Sequence, residues 1–345
     1  MGFPQRILAI DIGGGTQDIL LYEEGKPIEN CVQMILPSPT QLVAQKISRA
    51  TSLKKNIFLT GNTMGGGACT WALENHLRTG LKVAATKLAA LTFHDNLEVV
   101  QKKGIKITDV RPAGWPVITL GDVQISKLEK ILREYGLQLP ENMAIAVQDH
   151  GFNPRGSNRL FRFLYWQRFI LQGGNLQNLI YKKPPRFMTR MLAVKRDAPA
   201  AYLMDTSAAA IWGILCDPRV KEEQEKGFIA VNLGNQHTLG ALVQGERIWG
   251  IFEHHTGRLS PAKIKSILKD FAAGELLHEK IMNDGGHGCF LSPYFPKKGK
   301  FSFVAVTGPQ RNLVAGLKYY QAVPYGDMML TGCFGLVAAL KAKKT

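Results

Sequence analysis

The chain has 345 residues, 45% of them hydrophobic and 20% charged, with a formal net charge of +16. This composition excludes a disordered or fibrous chain, and the length exceeds what one hydrophobic core usually serves, so two domains are expected. Five cysteines, at positions 31, 69, 216, 289 and 333, form no C-x-x-C pair, and the most membrane-like run, Met328 to Leu340, falls well short of a bilayer span. A zinc ribbon, a disulfide scaffold and a transmembrane anchor are thereby disfavoured, no signal-peptide pattern opens the chain, and a reduced cytoplasmic setting is expected.

The first element is residues 7–22. An apolar run reaches Asp11, Gly13, Gly14, Gly15 and Thr16 follow, and a second apolar run ends at Tyr22 before the turn Glu23-Glu24-Gly25-Lys26-Pro27. The second run is too short and too punctuated for a helix, so the stretch reads as strand, glycine loop, strand. That order differs from P-loop and Rossmann motifs, in which a helix N-terminus follows the glycines. The glycines let backbone N–H groups approach a phosphate with no Cβ in the way, and Thr16 adds a hydroxyl. Asp11 offers oxygen to a hydrated Mg²⁺. A glycine-rich hairpin with no ligand is the alternative.

Residues 40–50 then read as a helix, 55–60 as a strand running into Gly61-Asn62-Thr63-Met64-Gly65-Gly66-Gly67, and 68–78 as a second helix. This succession suggests an α/β layer. Residues 117–120 form a short strand, 126–135 an amphipathic helix with Ser126 as N-cap, and 143–147 another strand. The last of these ends in Gln148-Asp149-His150-Gly151. Ligands of open α/β sheets gather at the carboxyl ends of strands, so Asp149 is a candidate general base, with His150 binding substrate or orienting Asp149. A plain turn would also explain the tetrapeptide.

Ten arginines and lysines and no acid lie between Arg155 and Arg196. Within this stretch, residues 159–171 mix arginines with aromatics, which suits single-stranded nucleic acid. Apolar residues at 160, 163, 164 and 171 also approximate a helical stripe, and a packed helix with a basic outer face accounts for most of the pattern. An anionic small molecule or an acidic protein is therefore favoured over nucleic acid as partner. Further on, Asp205-Thr206-Ser207 precedes a run of small residues, with Thr206 or Ser207 able to cap a helix. Residues 227–252 repeat the opening plan, with Asn232 in the place of Asp11, Gly234 in that of Gly13, and Thr238 as the hydroxyl. A strand at 303–306 enters Thr307-Gly308-Pro309-Gln310-Arg311-Asn312 and then a helix, and a last apolar helix spans 332–340.

These five pieces, in this order, resemble the superfamily of ATPases that includes sugar kinases, heat-shock chaperones and actin. Asp11 to Thr16 resembles its first phosphate motif, Asp205 to Gly213 its first connecting helix, and Asn232 to Thr238 its second phosphate motif. Thr307 to Asn312 resembles the adenosine motif and Gly332 to Leu340 the second connecting helix. More narrowly, the chain resembles a family labelled as related to the pyruvate formate-lyase activating enzyme, although it has no C-x-x-x-C-x-x-C motif for the iron–sulfur cluster of such activators.

The resemblance implies an α/β fold of two ribonuclease-H-like domains closing on Mg-ATP. Residues 1–217 would form the first domain with a basic inserted segment at 151–200, residues 218–325 the second, and 326–345 a helix returning to the first. It implies that Asp11 and Asn232 serve the metal, that Gly13, Gly14, Gly15, Thr16 and Gly234 cradle phosphates, and that Gly308 and Asn312 serve the adenosine. Asp205 would orient the nucleophile. The superfamily's second motif normally carries Asp where this chain has Asn232, and small glycines where it has Asn235 and Gln236. The expected activity is hydrolysis of ATP or transfer of its γ-phosphate to an anionic small substrate. The alternative is a nucleotide-gated activator or scaffold docking an acidic protein. A third candidate is a metal site built from His254, His255, His287 and Cys289, whose spacing matches no standard zinc pattern.

Overall fold

A computed structural model describes residues 5–296 and 301–344. The opening residues form an antiparallel meander of β1 (Arg6–Ile12), β2 (Thr16–Glu23) and β3 (Val32–Pro37). The chain then leaves to build a separate parallel sheet from β4 (Ile57–Gly61), β5 (Val83–Ala85), β6 (Ile105–Ile107) and β7 (Val117–Leu120). It returns with β8 (Asn142–Val147), parallel to β1, and completes the first sheet with β9 (Ile180–Tyr181) and β10 (Tyr202–Met204), in the order β3-β2-β1-β8-β10-β9.

The second half repeats the plan. β11 (Phe228–Leu233), β12 (His237–Gln244) and β13 (Arg247–His255) form the meander, β14 (Gly288–Leu291) extends its edge, and β15 (Phe303–Thr307) and β16 (Tyr320–Gln321) continue parallel to β11. Both sheets thus share the ribonuclease-H-like arrangement, and the fold is α/β with two such actin-like ATPase domains. The turns match as well: Gly13 N donates to Thr16 O at 2.9 Å, and Gly234 N to His237 O at 3.0 Å.

Strand β1 is apolar on both faces because both are covered. Ile7 and Ala9 face an inner core, whereas Leu8, Ile10 and Ile12 face an outer one. The inner core also takes in residues of the second sheet and of two helices, Thr206–Ile214 and Thr331–Lys344, which pack between the sheets. These helices cross at glycine. A Cβ on Gly213 would fall 1.8 Å from Thr331 O, and one on Gly335 would fall 1.9 Å from Ala209 O.

Several local expectations are corrected. The helix Thr206–Ile214 is capped by Asp205, whose carboxylate accepts from Ser207 N at 3.0 Å, leaving Thr206 and Ser207 inside the helix. Ser126 is likewise inside its helix, Ile125–Glu134, which Gln124 precedes. After Gly308-Pro309 the chain makes only a 3₁₀ turn, Arg311–Val314, rather than an α-helix. The strands β5 and β6 had no sequence signal and complete a four-stranded sheet that was expected only as a layer.

The helix Asn158–Leu171 buries Arg162, Phe163, Trp166, Phe169 and Ile170, while Leu160, Leu164 and Leu171 are exposed. The inward face is therefore rotated from the expected stripe, because ion pairing draws a charged residue into the core.

Candidate functional site

The two glycine hairpins face one another across a cavity lined by Asp11, Gly13, Gly14 and Thr16 from the first and by Asn232, Gly234, Asn235, Gln236 and His237 from the second. Thr307, Gly308, Thr331 and Gly332 close its wall. Gly308 adopts φ +101° and lets β15 approach its neighbour, since a Cβ there would fall 2.5 Å from Asn232 Oδ1.

Asp11 sits at the cavity floor against the start of the last helix, where a Cβ on Gly332 would fall 1.9 Å from its Oδ2. Across the hairpin it pairs in register with Asp18, which also lines the cavity. Both carboxylates have a buried Oδ1 with no hydrogen-bond partner. Burial, aided by the Asp18 and Asp205 charges, holds Asp11 well above its ordinary value, and burial pushes Asp18 up to about 7. A buried and a half-buried acid side by side without counter-charges are costly, and a bound cation would relieve both.

The second hairpin is chemically unlike the first. Register gives His237 the place that Thr16 has in the first hairpin and Leu239 the place of Asp18. Thr238, expected as the hydroxyl, instead shares a buried hydrogen bond with Thr256 Oγ1 at 3.0 Å. Counting from Asn232 as from Asp11 would have found His237 in the sequence. Gln236 and Asn235 lie over the first loop: a Cβ on Gly14 would fall 2.5 Å from Gln236 Cδ, and one on Gly15 would fall 2.5 Å from Asn235 Nδ2. Gly15 is not on the cavity wall. Nor is Asn312, which is exposed on its 3₁₀ turn.

Asp149 and His150 line an adjoining cavity that shares Gly13, Gly14, Gln148, Gln236 and His237 with the first. Asp149, expected as a general base, is engaged in holding its loop: Oδ1 accepts from Gly151 N at 2.8 Å and Oδ2 from Met191 N at 2.9 Å. Burial nevertheless raises it to about 6. Asp205 is also held, accepting from both terminal nitrogens of Arg162 at 2.7 and 2.9 Å. Arg162 additionally donates to Glu253 Oε2 at 2.6 Å and to Asp149 O at 2.8 Å.

The basic segment therefore divides. Arg162 is buried, and Arg190 bonds Asp122 and Gln148 O, while Arg155, Arg168, Lys182, Lys183, Arg186 and Arg196 stay exposed.

The metal cluster drawn from the sequence does not form. His254 Nε2 bonds Asp284 Oδ2 at 3.0 Å, and Cys289 is packed in an apolar core. His287 is instead gathered with His150, His237 and Glu253. Burial holds the His237 imidazole down to about 3 and His150 well below its ordinary value, so both are neutral at physiological pH. Burial pushes Glu253 up, but Arg162 and His287 outweigh it and hold the carboxyl well below the usual range.

A family model described as "Putative pyruvate format-lyase activating enzyme (DUF1786)" matches residues 64–313. The chain belongs to this family. Among solved structures, the DUF1786 chain is similar to the ethanolamine utilization protein EutJ from Carboxydothermus hydrogenoformans, at 11% identity over 97% of this chain and 90% of that one, with a TM-score of 0.34. The PilM–PilN type IV pilus biogenesis complex matches at 10% identity over 97% and 98%, with a TM-score of 0.35. The Ppx/GppA phosphatase of Aquifex aeolicus matches at 9% over 98% and 91%, with a TM-score of 0.27. At such scores the fold assignment rests on the strand order itself. No curated protein matches the chain. Among the described residues, no helix is long and apolar enough to cross a membrane.

Sequence reasoning missed Asp18, Gln148, His237 and Gly332 on the first cavity's wall. Asp18 was hidden within an apolar run, and Gly332 is brought to Asp11 only by the packing of the last helix.

Proposed function

We propose that this protein binds Mg-ATP in the cleft between its two hairpins and hydrolyses it or transfers its γ-phosphate to an anionic small molecule. The observation that carries this reading is the pair Asp11 and Asp18 on the wall of a glycine-lined cavity, each with a buried, unpartnered oxygen. Asp11 and Asp18, with the Asn232 carbonyl, would serve the cation. Backbone amides of Gly13, Gly14 and Gly234 would hold phosphate oxygens, and Thr16 would add a hydroxyl. Gly308 would give room on the adenosine side, while Gly15 and Asn312 lie off the cavity wall. The cation, when bound, supplies charge neutralisation at the phosphates, the main requirement of phosphoryl transfer. Asp149 and His150 would meet a substrate from the adjoining cavity's wall, with Asp205 behind it, held by Arg162.

Calorimetry tests the reading. ATP with Mg²⁺ should bind the unmutated chain, and Asp11→Ala should weaken binding at least about tenfold, equivalent to roughly 1.4 kcal/mol. Absence of ATP binding by the unmutated chain would remove this function while leaving the fold intact.

A second reading, a nucleotide-gated activator or scaffold with little turnover, is favoured by one feature. Both acids expected to act on the nucleophile, Asp149 and Asp205, are occupied by backbone amides and by Arg162. On that reading the six exposed cations of the 155–196 stretch would meet an acidic protein surface.

A further inference from the structure

We propose that His150, His237, Glu253 and His287 form a binding site for a divalent first-row transition-metal ion, distinct from the Asp11 and Asp18 pair. One ligand atom from each of the four lies within 4.8 Å of every other. They come from separate elements: His150 follows β8, His237 opens β12, Glu253 lies on β13 and His287 precedes β14.

The closest part of the cluster already has ligand-like spacing. His287 N donates to Glu253 O at 2.9 Å, which pins the turn before β14 to β13. His287 Nδ1 then lies 3.4 Å from Glu253 Oε1 but is buried with no hydrogen-bond partner. Bonds of about 2.0–2.1 Å set neighbouring ligands of a tetrahedral ion about 3.4 Å apart, so this pair needs little movement to share an ion. The His237 ring centroid is 4.7 Å from that of His287, and the His150 centroid is 5.1 Å from it.

The charge balance favours a cation. Arg162 is shared by Asp205 and Glu253, two buried carboxylates for one guanidinium. The trio keeps a net negative charge away from solvent, an arrangement that is expensive without a partner. Arg162 occupies Glu253 Oε2, and the Gln148 amide donates to Oε1, the oxygen facing His287. These two groups orient the carboxylate as outer partners of metal sites do. Three imidazoles and one carboxylate, with no thiolate, suit Zn²⁺, Co²⁺, Ni²⁺ or Fe²⁺ better than Mg²⁺ or Ca²⁺. His237 and His150 also line the cavity bounded by Gly65, Gly66 and Arg190, so an ion here would face that space. Because His150 belongs to the first domain's side and the other three to the second's, the ion would join the two.

The test uses the full chain, stripped with a chelator and dialysed, then titrated with Co²⁺ under visible absorption and competed with Zn²⁺. One ion per chain is expected, with d–d bands of nitrogen and oxygen coordination. His237→Gln and His287→Gln should each lower Co²⁺ affinity by about 100-fold or more, beyond the loss seen when only an outer partner is removed. Asp11→Asn should leave it unchanged. Circular dichroism checks folding, and His150→Gln, on a loop and half-buried, supplies the measurement if the strand variants fail to fold. Failure of the unmutated chain to take up either ion overturns the proposal, as does uptake that Asp11→Asn abolishes and the histidine variants retain. ATP calorimetry is a separate readout, so loss of the nucleotide reading leaves this one standing.

Discussion

His76 is buried on the helix Gly67–Arg78, with Nδ1 2.8 Å from Thr51 Oγ1 and Nε2 lacking a partner. Burial holds its pKa below the ordinary 6.5. The unfolded chain therefore takes up the proton first as pH falls, so the stability His76 lends is complete above the unfolded value of 6.5 and is lost below it. Urea unfolding at about pH 8 and about pH 5 should show a smaller acid-side loss for His76→Gln than for the unmutated chain; equal losses would mean that His76 is protonated without cost. Asn232→Asp belongs to the same scale. It restores a carboxylate beside the proposed cation and should lower the Mg²⁺ concentration needed for half-maximal ATP binding, whereas an unchanged midpoint would place this side chain away from the metal. Asp11 was legible because a carboxylate before three glycines has few other uses. Arg162 was not, because periodicity places charged residues outward and only its three-dimensional partners, Asp205 and Glu253, explain its burial.

The two helices between the sheets approach so closely at Gly213 and Gly335 that neither position has room for a methyl group. Gly335→Ala should therefore cost about 3 kcal/mol, read as a lower thermal midpoint, because backbone rather than a flexible side chain stands in the way. An unaltered midpoint would mean that the crossing relaxes freely. In the second hairpin, Gln236 and Asn235 overlie the glycines of the first. Gln236→Gly should open that space and tighten ATP binding in calorimetry; weaker binding would show instead that the amide helps to hold the nucleotide. Both hairpins were legible because short continuous apolar runs flank glycine turns, and the equivalence of Asn232 with Asp11 survives in register. Strands of three residues such as Val83–Ala85 and Ile105–Ile107 are too short for any period to emerge. The histidine cluster draws on four separated elements, so no local spacing announces it.

At the scale of the molecule, the duplicated sheets enclose a core that neither owns alone, because the helices Thr206–Ile214 and Thr331–Lys344 belong to it as much as the strands do. The helix Thr331–Lys344 reaches back to the first hairpin: Cys333 Sγ lies 3.1 Å from Asp18 O and 3.7 Å from Ala9 O, on the inner face of β1 and β2. A chain emerging from the ribosome makes that face long before the helix that completes its cover, residues 331–344, has appeared. Until then the apolar strands stand open through the synthesis of both domains, the state in which nascent proteins misassociate or are held by chaperones. A chain stopped before Thr331 should accordingly be recovered mainly as aggregate, while supplying residues 331–344 as a separate peptide during refolding should raise the soluble yield. Soluble, monodisperse truncated protein would show that the first sheet closes without its final cover. The packing that brings Gly332 to Asp11 thus also delays completion of the proposed cleft until both sheets have been made.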